Sequence, residues 1–379
     1  MGELNKKDMN DWKQAEYRYV VLQAERMMPL SRKTMSTKDY MDGLANIYEA
    51  YHFFYPALLE HGLVMIGNND EINGKKKMDQ GLECMFEYSD EEMIEDEIDM
   101  FLDNLIILLR YDLAKEYALQ LIEKYPSVSI YYDTLALCEA ILGNEKESIE
   151  AIDKAIELNP KDYDYYSNKG WFYLFFGKLD EAEKSLTQAL KLNENHDVTK
   201  GNIGVLNYLR KHGGNYVDFL LRPVDLEKIS KYEDENEVQD EYGDDGSEIS
   251  IMYTQYNHDR IKALKMVLPS EGTHVTGKVA NIIETLDLFL SFVKNRSFQY
   301  FLFDDINYVQ ENFLDIMCAF IFRYKDVDAE LVNDIFDGLT IFYSFLKERE
   351  NVTNESYQAL IVMMVTINDY KRNLISKLN

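Results

Sequence analysis

Breakers are scarce in this sequence, which has six prolines and eighteen glycines in 379 residues. Proline removes a backbone donor and glycine costs entropy in a helix, so their rarity favours long helices over an all-β design with many tight turns. Cysteine is scarcer still. Cys84, Cys138 and Cys318 are odd in number, far apart and set among apolar neighbours, with no CxxC spacing. That pattern supports neither a disulfide framework nor a cysteine zinc site, and burial as small hydrophobes is expected. Long apolar runs are missing too. The longest, Trp171–Phe176 and Leu360–Thr366, fall well short of the ~20 residues a membrane-spanning helix needs. Met1–Asn10 is polar, and Lys6 stands where a myristoylation pattern needs Ser or Thr, so a soluble, cytoplasmic protein is expected.

Positive charge is in deficit. Forty Lys and Arg face 68 Asp and Glu, a net of −28. Nucleic-acid binding draws on Lys and Arg to displace counterions, and an anionic membrane surface repels an acidic chain, so both are disfavoured as partners. Protein partners, basic ones in particular, fit better. Catalytic signatures are also lacking. His52, His61, His196, His212, His258 and His274 are scattered, and no HxxxH, HExxH, GxxxxGK, GxGxxG or GxSxG occurs. No catalytic, cofactor-binding or metal-ligating residue is therefore assigned, no cofactor is expected, and the chain reads as a non-enzyme.

What is present is a folded composition, 46% apolar, in a chain long enough for two or three domains. It is also periodic. Pro126 and Pro160 lie 34 residues apart, each closing a helix-like run. The same step links Ala114, Ser148 and Ala182, then Ala118, Ile152 and Leu186, then Leu121, Ala155 and Ala189. Gly143 and Gly177 share it at the turn between paired helices. Each unit reads as two amphipathic helices and a tight turn, and one such hairpin cannot bury its apolar stripe without stacked neighbours. In the clearest unit the small Gly170 lets the second helix approach, while Ala182, Leu186 and Ala189 form that helix's inner stripe.

These residues resemble the tetratricopeptide repeat family over 95–128, 129–162 and 163–196, with a degenerate fourth unit at 197–230. The signature stands best as Tyr166-x-x-Lys-Gly-x-x-Tyr173 followed by Ala182, Leu186 and Ala189. Departures are Ile98, Tyr132 or Tyr166 for the family's early Trp, Leu102 and Ala136 for its glycine, and Leu109 for the turn glycine of the first unit. The fold class expected is all-α, a tetratricopeptide-like helical-hairpin solenoid flanked by an N-terminal helical cap and a C-terminal helical bundle.

The domains expected are a cap over 1–90, the array over 91–230, an acidic linker over 231–250 and a C-terminal helical domain over 251–379. In the cap, Asp11–Met28 and Lys38–Ile66 read as helices, the second broken near Pro56, and Asn68–Gly81 reads as a polar loop carrying Lys75-Lys-Lys. Nine acidic residues and no Lys or Arg between Tyr232 and Glu248 mark the linker. Beyond it Val275–Val293, Ile306–Tyr324, Ala329–Leu346 and Ser356–Leu378 read as helices, with Asp304 and Asp328 as candidate N-caps. The order of these segments in 275–350 resembles the helical core-binding domain of tyrosine recombinases, on Ile283–Phe292, Asp305-Ile-Asn and Leu339–Leu346. That family's catalytic Arg, His and Tyr set does not follow, and 271–350 carries 14 acidic and 7 basic side chains, against a DNA contact.

The resemblance implies a concave groove lined by the second, fifth, ninth and twelfth positions of each first helix. Carried over, the peptide-binding candidates are Asp96, Asp99, Asp103, Asp133, Asp164, Ser167 and Trp171. The spacing i, i+3, i+7 sets each group on one helical face. The groove positions hold no Lys or Arg, so a clamp for a C-terminal carboxylate is not expected. They imply a protein or peptide partner with a Lys/Arg-rich or amphipathic segment, and hence a scaffold or adaptor. Blander accounts stand beside this: acidic residues suit the first turn of any helix, and Trp171, within Trp171–Phe176, fits a core as well as an anchor. Two alternatives remain open, a regulatory protein whose C-terminal helical domain contacts nucleic acid and a helical enzyme with an unrecognised site. Oligomeric state is not legible.

Overall fold

A computed structural model describes residues 6–27, 35–88, 94–225, 248–270, 277–296 and 329–363, with 302–304, 306, 311, 312, 316 and 320 between the last two. Among the described residues the secondary structure is helical, with no strand. In order the helices are α1 Lys6–Met27, α2 Thr37–Ala50, α3 Tyr55–Gly67, α4 Glu71–Tyr88, α5 Ile94–Ile107 and α6 Tyr111–Lys124. Then come α7 Ser129–Ile141, α8 Glu145–Leu158, α9 Tyr163–Phe175, α10 Leu179–Leu192, α11 Asp197–His212 and the short α12 Tyr216–Leu220. The last are α13 Glu248–Ser270, α14 Gly277–Arg296 and α15 Ala329–Glu348. The chain divides into two compact units. One holds the described residues up to Leu121 together with 277–281, and the other holds the remainder.

Local chemistry sets the helix ends. Ser36 caps α2 by accepting from Asp39 N at 3.0 Å, and Pro56 occupies the first turn of α3, where its missing donor is harmless. Asp162 caps α9 through Asp164 N at 3.0 Å. At the turns between paired helices Gly143 and Gly177 take φ of 83° and 71°. Leu109, at the same repeat position, takes φ 56°. A side chain there costs roughly 1–2 kcal/mol in left-handed backbone. Burial of the Leu109 side chain offsets that strain.

The second unit shows the repeat most clearly. In α7 and α8, Ala136, Ala140, Ile152 and Ala155 pack into one core with Tyr165 and Phe172 of α9. Between α9 and α10, a Cβ added at Gly170 would stand 2.6 Å from Leu186, so the glycine is what permits the approach. After α11 the fourth unit ends early: its second helix is the five-residue α12, started by an Asn215–Asp218 capping box. Downstream, α13 carries the buried Arg260, which donates to the carbonyls of Leu220 and Arg222 at 2.7 Å each and to the Asp304 carboxylate. Asp304, expected as an N-cap, thus receives a guanidinium. Residues 231–247 of the acidic linker and Asp328 lie outside the described residues, as do most of 306–324 and the chain beyond 363, while 248–250 open α13.

One expectation is overturned. The polar loop read at Asn68–Gly81 is only the turn Asn68–Asp70, and Glu71–Tyr88 is helix. Its glycines are packing positions rather than breakers. A Cβ at Gly74 would meet Gly62 O at 2.8 Å, and one at Gly81 would meet Leu59 at 2.6 Å. Lys75 pairs with Glu116 at 2.5 Å and Lys77 lies over the Tyr48 ring, so the lysine run coats a helix. The hairpin α3–α4 is a further repeat. Gly62, Gly74, Met78 and Gly81 precede Gly170, Ala182, Leu186 and Ala189 by a constant 108 residues, three repeat steps plus six.

Candidate functional site

The acidic candidates fall into two groups, one in each compact unit. On α5, Ile98, Phe101, Leu102 and Leu105 are buried, with Phe101 edge-on to Tyr117 of α6 at 5.2 Å. That packing turns Asp96, Asp99 and Asp103 onto one outer face, where Asp99 is half-buried and the other two are exposed. Among the described residues no hydrogen bond or ion pair reaches these three carboxylates. Burial pushes the Asp99 carboxyl above the usual range, helped by Asp103 and Asp96, and burial raises Asp103 as well.

The sign has a consequence for stability. The folded chain holds these protons more tightly than the unfolded one, so their contribution is fullest below the ordinary carboxylate pKa and is lost as pH rises through the raised one. Asp99→Asn with Asp103→Asn is therefore expected to raise the thermal midpoint at pH 7. The gain should close below about pH 4, where an ordinary aspartate is itself largely protonated. Thermal melts across that range check it.

In the second unit the candidates are engaged. Asn168 Nδ2 donates to both Asp133 oxygens at 3.1 and 3.0 Å, tying α7 to α9. Ser167 is buried under α11, where Thr199 Oγ1 donates to its hydroxyl at 2.9 Å, so it offers no surface to a peptide. Asp164 is exposed and lies 3.3 Å from His196 Nε2, whose Nδ1 shares a hydrogen bond with Thr199. Trp171 is half-buried, stacked on Phe175 and edge-on to Tyr216 of α12 at 5.6 Å. It belongs to an aromatic cluster whose outer edge remains accessible.

Other sequence features resolve simply. Cys138 is buried, Cys84 is half-buried with its thiol pushed up to about 11 by burial, and Cys318 lies outside the described residues. Among the described residues no three His, Cys, Asp or Glu gather as metal ligands, and no helix is long and apolar enough to cross a membrane. On α13 and its neighbours Arg222 pairs with Asp259, Arg260 with Asp304 and Lys265 with Asp287, so these cations are spent internally. Absent from the sequence-derived set is a cavity of about 150 Å³ lined by residues of α1, α3, α4 and α5, with Glu60 and Glu97 in its wall.

Comparison with known proteins bears on what such hairpins are for. Descriptions of the tetratricopeptide repeat match residues 130–162 and 151–184, the span of α7 to α10 where the 34-residue phase is strictest. The chain carries tetratricopeptide repeats over 130–184. Over 70 residues it is 36% identical to BBSome complex member BBS4 of Bos taurus, a match spanning 18% of this chain and 13% of that protein. Solved structures similar to this chain include YrrB, a TPR protein with an unusual peptide-binding site, at 15% identity and a TM-score of 0.34. That match covers 52% of this chain and 92% of YrrB. They also include MamA 41-end from Desulfovibrio magneticus RS-1, at 17% identity and a TM-score of 0.33, covering 48% and 97% of the respective chains. Tetratricopeptide arrays are typically non-enzymatic, and repeats of this kind serve protein–protein interaction.

Proposed function

We propose that this protein is an adaptor that holds a Lys/Arg-rich or amphipathic segment of a partner protein against the acidic faces of its repeats. The observation that carries the reading is the trio Asp96, Asp99 and Asp103 on one face of α5, unpaired among the described residues and with two carboxyls raised by burial. Like charges held together in a partly dry setting favour a cation that neutralises them, so a partner lysine or arginine gains more there than on an ordinary acidic surface. The half-buried Trp171 supplies a candidate apolar contact in the other compact unit. The bovine relative is by its name a member of a complex, and assembly of partners suits an adaptor.

The test uses the full chain and a fluorescent amphipathic helical peptide of Lys and Leu, with a Glu and Leu peptide as control. Anisotropy at low and high salt should show binding of the basic peptide alone, weakening as salt screens the contact. Asp99→Lys with Asp103→Lys is expected to weaken it at least about tenfold, ~1.4 kcal/mol, and to flatten its salt dependence. An affinity that ignores the charge reversal overturns the reading.

A further inference from the structure

The cavity between the first helices combines an apolar floor with acidic side chains. Its floor is apolar: Leu59, Leu63, Met85 and Phe101 line it and are buried. Set into that wall are Glu60 of α3 and Glu97 of α5. Each is held in place by tyrosine. Tyr40 Oη donates to Glu60 at 2.9 Å and Tyr19 Oη at 3.4 Å, while the Tyr55 hydroxyl donates to Glu97. A carboxylate accepts several hydrogen bonds at once, so hydroxyl partners orient these groups. Met100, 62% exposed, flanks the opening.

Size and charge together narrow the occupant. At about 150 Å³ the cavity is well below the ~300 Å³ at which drug-sized ligands begin, and near the size that accommodates a benzene ring. One side chain fits; a cofactor does not. An aliphatic floor with two carboxylates in the wall complements a side chain that is a hydrocarbon stem with a cationic head. Tyr19 and Tyr55, both lining the cavity, add aromatic faces that suit a flat guanidinium.

We propose that this cavity is an anchor pocket for a single long cationic side chain, arginine foremost and lysine second, of a bound partner peptide, with Glu60 and Glu97 receiving its head and Leu59, Leu63 and Phe101 its stem. The inference deepens the adaptor reading and rests on it for the source of the side chain. It adds a position-specific contact to what the α5 aspartates supply as a diffuse acidic face.

The test reads the pocket directly. In full-length protein with ¹³C-methyl methionine, the resonances of Met85 and Met100 are assigned by Met85→Leu and Met100→Leu. Nα-acetyl-arginine amide is then titrated against its neutral isostere, Nα-acetyl-citrulline amide. Both methyls should shift with the arginine amide, with an affinity at least about tenfold above citrulline, and Glu60→Gln with Glu97→Gln should remove the difference. Asp99→Lys with Asp103→Lys should leave the response intact. Equal shifts from both amides would make the cavity a merely apolar recess and overturn the proposal, as would unmoved methyls. The adaptor reading fails separately: a Lys and Leu peptide that does not bind, while the arginine amide still does, ends that reading and keeps the pocket.

Discussion

Arg260→Met is expected to destabilise the second unit by roughly 3–5 kcal/mol, a large part of the ~5–15 kcal/mol that holds a domain together. The guanidinium is 1% exposed and serves three acceptors, the carbonyls of Leu220 and Arg222 and the Asp304 carboxylate. Leu220 and Arg222 are the end and sequel of α12, so α13 supplies donors that this five-residue helix cannot supply for itself. Methionine fills similar space but leaves the carboxylate and two carbonyls without their donor. Arg260→Lys keeps the charge yet offers no fork to reach all three, and should fall between. The chain has two tryptophans, Trp12 in the first unit and Trp171 in the second, so denaturation of a Trp12→Phe background reports the second unit through Trp171. Asp304→Asn added to Arg260→Met should recover part of the loss. The buried Arg110 makes the informative contrast. Its partners Glu71 and Asp112 are 38% and 46% exposed at the side chain, so water takes over part of its role and Arg110→Met should cost less.

Glycines should respond in opposite directions according to what faces them. A Cβ at Gly62 would stand 2.5 Å from Met78 Cγ and 2.8 Å from Gly74 O, and one at Gly74 would stand 2.8 Å from Gly62 O. Backbone cannot step aside as a flexible side chain can, so Gly62→Ala or Gly74→Ala should force α3 and α4 apart. The expected cost is about 1–3 kcal/mol, even after alanine's better helix propensity is counted. On α11, Gly201 and Gly204 face open space, with nothing within 4 Å of an added Cβ. There alanine should stabilise by roughly 0.5–1 kcal/mol, because the unfolded chain loses freedom and the folded helix loses nothing. Four single variants compared by denaturant midpoint check both halves. A uniform response would mean that interhelix approach is not what these glycines serve.

Gly170 shows how far such reasoning reaches from residues alone: its place in the 34-residue phase marks it as a close-approach site, and Leu186 does stand there. The same phase locates the left-handed turns at Gly143 and Gly177, and even Leu109 obeys it at φ 56°. Helix α4 escaped because glycine and lysine carry opposite messages in different settings. Gly74 and Gly81 look like breakers until Gly62 and Leu59 are seen against them, and a six-residue offset hides the repeat to which they belong. The candidate site was legible in part. Spacing sets Asp96, Asp99 and Asp103 on one face, but which aspartates keep free carboxylates depends on Asn168 and His196, neighbours fixed only by packing. The cavity walled by Glu60 and Glu97 draws on four helices, and no single periodicity contains it.

The glycine-lined seam of α3 and α4 also bears on the order in which the molecule assembles. Each glycine inside a helix forfeits about 1 kcal/mol of intrinsic propensity relative to alanine, and Gly62, Gly74 and Gly81 sit in two consecutive helices. Neither helix has much reason to form before the other is there to pack against. The hairpin α9–α10, with a single such glycine and an alanine–leucine stripe, can nucleate from local contacts. Repeat arrays propagate structure from their most self-sufficient element to their least. In hydrogen exchange, amides of α9 and α10 should thus be protected early in refolding, and those of α3 and α4 late and together, as one cooperative step.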